Sequence, residues 1–314
     1  MQSAQTSAPS VGRVAVLGLG SMGLGMARSA SRAGLDVVGF DPAPAAAEAF
    51  AADGGATEAS AREAAAGASI VLCVVVNAAQ TEALLFGPDG IAEAMAPDAV
   101  FVSCATMDPE IARRLAARLE ASGRHYLDAP MSGGPVRAAE GALTVMASGS
   151  PAAFARARPA LDAIAAKVYE LGEAAGQGAA FKMINQLLAG VHIAAACEAI
   201  AFAARQNLDL ARVYEVITAS AGNSWMFENR VPHVIEGDYA PKSAVEIFVK
   251  DLGIVQDMAR SARFPVPLSA AALQMFLAAS GAGMGRDDDA SLARVYANLS
   301  GATLPPSKPA KSSA

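Results

Sequence analysis

Histidine, cysteine and tryptophan are scarce in this sequence of 314 residues, which contains three, three and one of them respectively. The cysteines, Cys73, Cys104 and Cys197, lack the spacing of a zinc site or a disulfide framework. Three widely separated histidines leave a protein metal site almost without ligands. The composition therefore predicts no metal and three reduced thiols in packed positions, as in a cytoplasmic protein.

Basic residues are also few, and no run of lysine and arginine is longer than the pair Arg113 and Arg114. The formal net charge is -6. Proteins whose main partner is nucleic acid normally carry a clustered basic surface. The charge pattern therefore excludes nucleic acid as the main partner.

The hydrophobic content is high, at 53%, but alanine supplies much of it. The longest candidate membrane span, residues 187–204, contains His192 and Glu198, whereas a membrane helix usually needs ~20 residues with few or no charges. Residues 1–10 contain no basic residue, unlike a secretory signal. We therefore predict a soluble protein with no membrane attachment, in which the apolar span is a buried interdomain helix.

Short apolar segments alternate with helical segments from residue 13 onward. Strands separated by helices indicate βαβ units, which build a parallel sheet with helices on both faces. The predicted fold class is α/β, with an N-terminal Rossmann-type doubly wound parallel sheet followed by an all-α C-terminal domain. The predicted strands are residues 14–17, 36–40, 70–76, 99–102 and 126–128.

After Leu171 the sequence pattern becomes helical, and no strand alternation returns. We place a domain boundary near residue 175. The predicted parts are a disordered leader at 1–12, an α/β domain at 13–175, a helical domain at 176–303 and a mobile tail at 304–314.

A glycine-rich loop follows the first predicted strand. Its spacing, G-x-G-x-x-G, is weak evidence alone, but here a strand precedes it and a predicted helix follows. The first glycine permits a tight turn, the second lets the backbone approach a pyrophosphate, and the third allows close helix packing. The loop therefore predicts that residues 13–175 bind a dinucleotide. Its members are Gly18, Leu19, Gly20, Ser21, Met22 and Gly23.

Asp41 ends the second predicted strand, 18 residues after Gly23. A carboxylate there accepts hydrogen bonds from ribose hydroxyls and repels a 2′-phosphate. The next residues, Pro42 to Pro44, include no arginine to receive that phosphate. The sequence therefore predicts NAD rather than NADP, although Asp41 is also a typical turn residue before proline.

Four motifs in this sequence resemble those of the β-hydroxyacid dehydrogenase family. Together with the strand before the first of them, they span residues 13–253, which is nearly the whole chain apart from its two tails. The resemblance implies an NAD-binding domain, a helical domain for substrate binding and oligomerisation, a small hydroxy acid as substrate, and a homodimer or homotetramer. The motifs are residues 18–23, 128–134, 178–185 and 250–252.

Several further segments resemble the branch of that family that oxidises L-threonate. For this chain the resemblance implies NAD-dependent oxidation at C2 to the 2-oxo acid. Two alternatives within the family stay open, a 3-hydroxyisobutyrate dehydrogenase and a tartronate semialdehyde reductase, because the shared motifs suit any alcohol that bears a carboxylate. A non-catalytic dinucleotide-binding sensor is a third alternative. The segments are residues 76–80, 188–193, 221–230 and 243–251.

The resemblance places Lys182 in the catalytic role, as the general acid/base. A free lysine titrates near ~10.4 and works best near neutrality when its pKa is lowered. Burial in an interdomain cleft and a second cation nearby, such as Lys250, are expected to lower it. Asn185 follows three residues later on the same predicted helix face, where it would orient Lys182 or bind a substrate hydroxyl.

Three consecutive residues, Ser132, Gly133 and Gly134, belong to the motif that resembles the family's substrate-binding stretch. The resemblance implies that they present backbone N–H groups and one hydroxyl to the substrate carboxylate, and glycines allow the close approach this needs. Asn223 opens a segment that we interpret either as a wall of the substrate pocket or as a subunit contact. Lys250 is assigned by resemblance to both the substrate and the cofactor.

Two polar residues that follow strands complete the predicted cofactor site. Thr106 matches the family's threonine beside the nicotinamide ribose, while Asp108 is the better N-cap for the next helix. Asn77 lies just past a strand, where open α/β sheets place their ligand crevice.

Overall fold

The computed structural model describes residues 12–308. By their internal contacts the described residues form two compact units, which divide between residues 182 and 183; the predicted boundary was placed near residue 175. Most of the leader predicted for 1–12 and of the tail predicted for 304–314 lies outside the described residues. Within them, the backbone N–H of Lys308 donates to the carbonyl of Gly237 at 2.7 Å.

The first unit contains a six-stranded parallel sheet with the order β3-β2-β1-β4-β5-β6. The order reverses between β1 and β4, as in a Rossmann fold. This arrangement confirms the predicted fold class. The strands are β1 (Val14–Leu17), β2 (Val37–Phe40), β3 (Ala56–Thr57), β4 (Ile70–Cys73), β5 (Val100–Ser103) and β6 (His125–Asp128).

Helices cover both faces of this sheet. Successive side chains of a strand point to opposite faces, and in β1 Val14 and Val16 join one buried apolar cluster while Ala15 and Leu17 join the other. A strand apolar on both faces is therefore buried on both. The helices are α1 (Gly23–Arg32), α2 (Pro44–Ala52), α3 (Ala61–Ala65), α4 (Ala78–Phe86), α5 (Pro109–Glu120), α6 (Gly134–Glu140) and α7 (Pro151–Ile164).

A small second sheet, not predicted from the sequence, also lies in the first unit. It consists of β7 (Met131–Ser132), β8 (Leu143–Ala147) and β9 (Ala165–Glu170) in the order β7-β8-β9. β7 is antiparallel to β8, and β9 is parallel to it. β9 is mostly exposed, so it lacks the apolar pattern by which a buried strand is recognised.

The predicted strand at residues 70–76 is wrong in its last three residues, because β4 ends at Cys73. Val74 still donates its N–H to Leu17 at 2.8 Å, but Val76 is 49% exposed. Asn77 then caps α4 by accepting the N–H of Gln80 at 2.9 Å. The cap requires the chain to turn before Asn77, which ends the strand early.

The second unit is helical, and no strand follows β9 within residues 12–308. Its core includes Ile193 and Leu252, and Phe248 stacks on Phe276 with ring centroids 5.1 Å apart. Its helices are α8 (Gln177–Arg205), which begins in the first unit, α9 (Leu210–Thr218), α10 (Trp225–Glu236), α11 (Val245–Ser261), α12 (Pro267–Ala279) and α13 (Leu292–Ser300).

The helix α8 contains the apolar span noted in the sequence. Among the described residues it is the one helix long and apolar enough to cross a membrane, and half of its most hydrophobic window is buried within the fold. Buried residues of α8, including Ala189, Ile193 and Cys197, pack in the core of the helical unit. Such packing is expected of a core helix in a soluble fold.

Candidate active site

The residues predicted to bind the cofactor follow the strands of the parallel sheet. The register pairs Leu17 with both Phe40 and Cys73, and pairs Ser103 with both Cys73 and Asp128. The carboxyl ends of these strands therefore meet at one edge of the sheet, which is where doubly wound folds bind ligands. The first unit brings to this edge the glycine loop, Asp41, Asn77, Thr106 and residues 132–134.

The glycines of the loop have distinct structural roles. Gly18 has φ +97°, and a Cβ there would lie 2.5 Å from the Val74 carbonyl oxygen. A Cβ on Gly23 would lie 1.8 Å from the carbonyl oxygen of Gly18, whereas one on Gly20 would meet nothing within 4 Å. Gly18 and Gly23 are thus required by the fold, and Gly20 leaves open space beside the backbone.

The helix that follows the loop offers its N-terminus to a ligand. No side chain caps α1 at Met22, so its first N–H groups have no side-chain acceptor. Leu19 is 1% exposed and packs into the core, and Ser21 lies exposed on the loop. The open space at Gly20 and the uncapped helix end fit the pyrophosphate of a dinucleotide.

Asp41 connects the end of β2 to the glycine loop. Its Oδ2 accepts the backbone N–H of Leu19 at 2.7 Å, and its Oδ1 accepts that of Ala43 at 2.8 Å. Each carboxylate oxygen retains further acceptor capacity, which suits the two hydroxyls of an adenosine ribose. The same negative charge disfavours a 2′-phosphate, so the residues fit NAD.

Asn77 and Thr106 both lie in loops that lead into helices. The amide oxygen of Asn77 is used in capping α4, where it accepts the N–H of Gln80. Thr106 is half-buried between β5 and α5, and Asp108 caps α5 by accepting the N–H of Glu110 at 2.7 Å. As predicted, Asp108 rather than Thr106 is the N-cap of α5.

Ser132 ends the short strand β7, and Gly133 and Gly134 lead into α6. Both glycines have positive φ, +136° and +73°, a region that side chains disfavour. A Cβ on Gly133 would also lie 3.0 Å from the side chain of Arg137. The conformation therefore requires glycine, and it leaves this half-buried stretch without bulky side chains.

Asp128, at the end of β6, fixes the start of α8, a role that sequence reasoning missed. Its Oδ2 accepts the backbone N–H groups of Gly176 at 2.9 Å and Ala179 at 2.8 Å. Ser148 adds to this anchor by accepting the N–H of Gly178 at 2.9 Å. Asp128 is 1% exposed, and burial raises its pKa to about 6 despite the hydrogen bonds that favour its charged form.

Lys182 lies three residues beyond this anchor, in the second turn of α8. It is 7% exposed, whereas its neighbours Phe181 and Ile184 are 53% and 61% exposed. Lysine is rarely so buried without a specific role or partner. The structure thus excludes a solvated surface lysine, which was the simplest alternative interpretation of this residue.

Four polar side chains of the second unit form one hydrogen-bonded series, which we call the amide relay: Asn185, Gln186, Lys250 and Asp251. Lys250 Nζ donates to Asp251 Oδ1 at 2.5 Å, and Gln186 Nε2 donates to Asp251 Oδ2 at 2.5 Å. Asn185 Nδ2 donates to Gln186 Oε1 at 2.9 Å. The structure thus joins two predicted site residues, Asn185 and Lys250, through two that were not predicted.

Gln186 and Asp251 each carried a signal in the sequence. Gln186 lies four residues after Lys182, so on a helix the two share one face. Asp251 is the acidic residue of the motif that supplied Lys250. Their burial, at 6% and 1% exposure, was the missing information.

Asn223 is held by its own loop and helix. Its Nδ2 donates to the Thr218 carbonyl at 3.2 Å and to Glu228 Oε1 at 2.5 Å. Ser224 caps α10 by accepting the N–H of Phe227 at 3.1 Å. Both interpretations of this segment, pocket wall and subunit contact, stay predictions.

The described residues contain no group of three or more side chains that could hold a metal ion. Cys73, Cys104 and Cys197 are all buried free thiols.

Comparisons with known proteins identify the family. Residues 13–172 match the NAD binding domain of 6-phosphogluconate dehydrogenase. Residues 176–296 match a family described as NAD-binding of NADP-dependent 3-hydroxyisobutyrate dehydrogenase.

Individual relatives are similar to this chain over almost its full length. An L-threonate dehydrogenase from Cupriavidus necator is 52% identical over 91% of this chain and 96% of its own. Another, from Pectobacterium atrosepticum, is 49% identical over 95% of this chain and 97% of its own. A crystal structure titled 3-hydroxyisobutyrate dehydrogenase from Salmonella typhimurium is 51% identical, with a TM-score of 0.86 over 90% of this chain and 99% of that one.

These matches confirm the resemblance drawn from the four motifs, the enzyme class and the cofactor. The substrate is a small hydroxy acid, which the enzyme oxidises with NAD. The chain belongs to the 3-hydroxyisobutyrate dehydrogenase family of NAD-dependent hydroxy acid dehydrogenases.

Proposed function

We propose that this enzyme oxidises L-threonate at C2 to the 2-oxo acid, with Lys182 as the general acid/base. The observation that supports this substrate assignment is the sequence identity of 48–52% to five relatives named L-threonate dehydrogenase. Some relatives with other named substrates are more distant. An NAD-dependent L-serine dehydrogenase from Pseudomonas aeruginosa, for example, is 32% identical.

Bound NAD supplies the hydride acceptor, and the protein has to hold the substrate and take the hydroxyl proton. Lys182 is the residue proposed for that proton transfer. Its burial and the anchor of α8 by Asp128 support this role, because a general base must be held within hydrogen-bond reach of the proton it removes. Positioned acid–base groups typically contribute about 100-fold to 10,000-fold to the rate.

The remaining site residues are proposed to bind and orient the two ligands. Ser132, Gly133 and Gly134 would receive the substrate carboxylate. Asn185 and Asn223 would bind its hydroxyl groups, and Lys250 would contact both substrate and cofactor. The positive-φ glycines and the amide relay support these assignments.

One observation favours a second candidate substrate. The solved relative from Salmonella typhimurium, 51% identical to this chain, is titled a 3-hydroxyisobutyrate dehydrogenase. That substrate carries its hydroxyl on C3 rather than C2. Tartronate semialdehyde reduction is a further possibility within the same family.

A substrate panel tests the proposal. Formation of NADH would be followed with L-threonate, D-threonate, erythronate, glycerate and 3-hydroxyisobutyrate at equal concentrations. We expect the highest kcat/KM with L-threonate. Activity with 3-hydroxyisobutyrate and none with L-threonate would overturn the substrate assignment but not the enzyme class.

We further propose that the enzyme is a cytoplasmic homodimer or homotetramer. Large apolar side chains of α8 are exposed in the helical unit, including Ile184 at 61%, Leu188 at 49% and Phe202 at 65%. Exposed apolar groups of this kind are typical of subunit contacts. Light scattering should give a mass of two or four chains, and Phe202→Ser should reduce it, whereas a monomeric mass for the parent would refute the proposal.

A further inference from the structure

The amide relay has a defined hydrogen-bond direction, because one end is charged. Asp251 forms an ion pair with Lys250, and an ionised carboxylate can only accept hydrogen bonds. Gln186 must therefore turn its Nε2 toward Asp251, as observed at 2.5 Å. Both Gln186 and Asp251 are buried, so the opposite orientation would place two oxygens together without solvent to separate them.

The orientation of Gln186 determines that of Asn185. With Nε2 donating to Asp251, the Oε1 of Gln186 is left as an acceptor. Asn185 then has to donate from Nδ2, as observed at 2.9 Å. A flipped Asn185 would again place oxygen against oxygen. The amide of Asn185 is thus held so that its Oδ1 is the atom left to receive a donor from elsewhere.

Asn185 lies three residues after Lys182, which is about one turn of the helix. Residues three apart on a helix have Cβ atoms about 5–6 Å apart, so the ends of the long Lys182 side chain and the shorter Asn185 side chain can reach adjacent carbons of one small substrate. Lys182 is proposed to take the proton of the hydroxyl that is oxidised. An acceptor beside it suits a hydroxyl on the next carbon.

We propose that the relay fixes Asn185 as an acceptor for a second hydroxyl of the substrate, next to the one that is oxidised. Asn185 is then a specificity residue for polyhydroxy acids, and Gln186 and Asp251 are positioning residues that act through it. This inference rests on the proposed function in placing Asn185 beside Lys182 at the reacting substrate. A substrate without the second hydroxyl leaves the acceptor oxygen of Asn185 unpaired. A site built to bind a hydroxyl discriminates against substrates that lack it for this reason.

Two substitutions that exchange charge and amide test the direction of the relay. In Asp251→Asn, Lys250 donates to the new amide oxygen, so the NH₂ group of residue 251 faces Gln186. Gln186 and Asn185 must then both turn over, and each hydrogen bond of the relay reverses its direction. In Gln186→Glu, two carboxylates face each other. In the double variant, the amide at 251 donates to the carboxylate at 186, which again accepts from Asn185. The bond between residues 186 and 251 is then reversed, but the original orientation of Asn185 is restored.

The readout is the ratio of kcat/KM for L-threonate over that for 2,4-dihydroxybutanoate, which lacks the C3 hydroxyl. We expect each single variant to lower this ratio about tenfold and the double variant to restore it to within about threefold. The KM for NAD and the melting temperature of the double variant should match the parent. Asp257→Asn is the matched control, since Asp257 lies on the same helix, exposed and paired with Arg260.

Equal losses for both substrates, as expected if Asn185 only orients Lys182, would overturn the specificity role. A double variant no better than the singles would overturn the relay itself. A readout without turnover is the side-chain amide NMR signal of Asn185, assigned by its loss in Asn185→Ser. It should shift in both single variants and return in the double, and a signal unchanged in all three would refute the inference. No turnover of L-threonate by the parent would instead contradict the proposed function.

Discussion

Asp128 and Ala179 are joined by a hydrogen bond of 2.8 Å that ties the end of β6 to the first turn of α8. The two residues are 51 positions apart in the sequence, and Lys182 follows Ala179 by three. We expect Asp128→Asn to lower kcat about tenfold, because a neutral amide oxygen accepts weaker hydrogen bonds than a carboxylate. Steady-state kinetics would measure it. Asp162→Asn, at an exposed carboxylate on α7, should leave kcat unchanged, and equal effects of the two would refute the anchor.

The same pair of proteins, parent and Asp128→Asn, yields a pH test of stability. Burial raises the pKa of Asp128 from 3.8 to about 6, so the folded chain binds this proton more tightly than the unfolded chain. The resulting stabilisation is full below pH 3.8 and is lost as the pH rises through about 6. A pKa change of this size corresponds to roughly 3 kcal/mol.

We therefore expect the free energy of unfolding of the parent, relative to Asp128→Asn, to fall between about pH 4 and about pH 7. Urea unfolding at several pH values would measure it. Asp289, whose pKa burial also raises to about 6, is present in both proteins, so its contribution cancels. A difference that does not change with pH would contradict the assignment.

Gly20 and Gly23 should respond differently to the same substitution. A Cβ on Gly20 meets no protein atom within 4 Å, whereas one on Gly23 would lie 1.8 Å from a backbone oxygen. We expect Gly20→Ala to retain the parent melting temperature while raising the KM for NAD at least about tenfold, because the methyl group occupies space needed by the pyrophosphate. Gly23→Ala should lower the melting temperature. An unchanged KM for NAD in Gly20→Ala would remove the loop from the cofactor site.

Asp41 is expected to determine the preference for NAD. Asp41→Ser removes both the acceptors for ribose hydroxyls and the charge that repels a phosphate, so the ratio of kcat/KM for NAD over NADP should fall about tenfold or more. Steady-state kinetics with each cofactor would give the ratio. Asp36, an exposed carboxylate just before β2, provides the control. A ratio that changes equally in Asp36→Ser would contradict the role of Asp41.

The helical unit contains a buried ion pair whose loss should be costly. Arg230 donates to both carboxylate oxygens of Asp289, at 2.5 and 3.1 Å, and neither side chain is more than 9% exposed. Arg230→Met leaves a buried carboxylate unpaired and should lower the free energy of unfolding by roughly 3–5 kcal/mol. Arg212→Met removes an exposed pair and should change it by less than about 1 kcal/mol. Urea unfolding of the two variants would decide, and similar losses would contradict this account.

The sheet of the first unit could be predicted because its strands are local apolar runs. β1, β2, β4, β5 and β6 were all recognised, since strands buried on both faces are mainly apolar. β8 and β9 were missed although they are longer than the recognised strands. β8 alternates buried and partly buried residues, and β9 is mostly exposed, so neither is a continuous buried run. The loops that follow the recognised strands were predicted with them.

The contacts that organise the site could not be read from local sequence. Asp128 meets Ala179 across 51 positions and Gln186 meets Asp251 across 65. Both links depend on how distant elements pack, and a polar residue destined for burial has no local signal that separates it from a surface residue. The glycine loop and Lys182 were identified because their motifs are contiguous, whereas their supporting residues are not.

The role of Lys182 is tested most directly by Lys182→Ala, measured for turnover of the best hydroxy acid and for NAD affinity in the same preparation. We expect kcat to fall about 100-fold to 10,000-fold, while the Kd for NAD stays within about twofold. Lys167→Ala, at an exposed lysine on β9, is the matched control and should retain full activity. A kcat in Lys182→Ala equal to that of the parent would contradict the account.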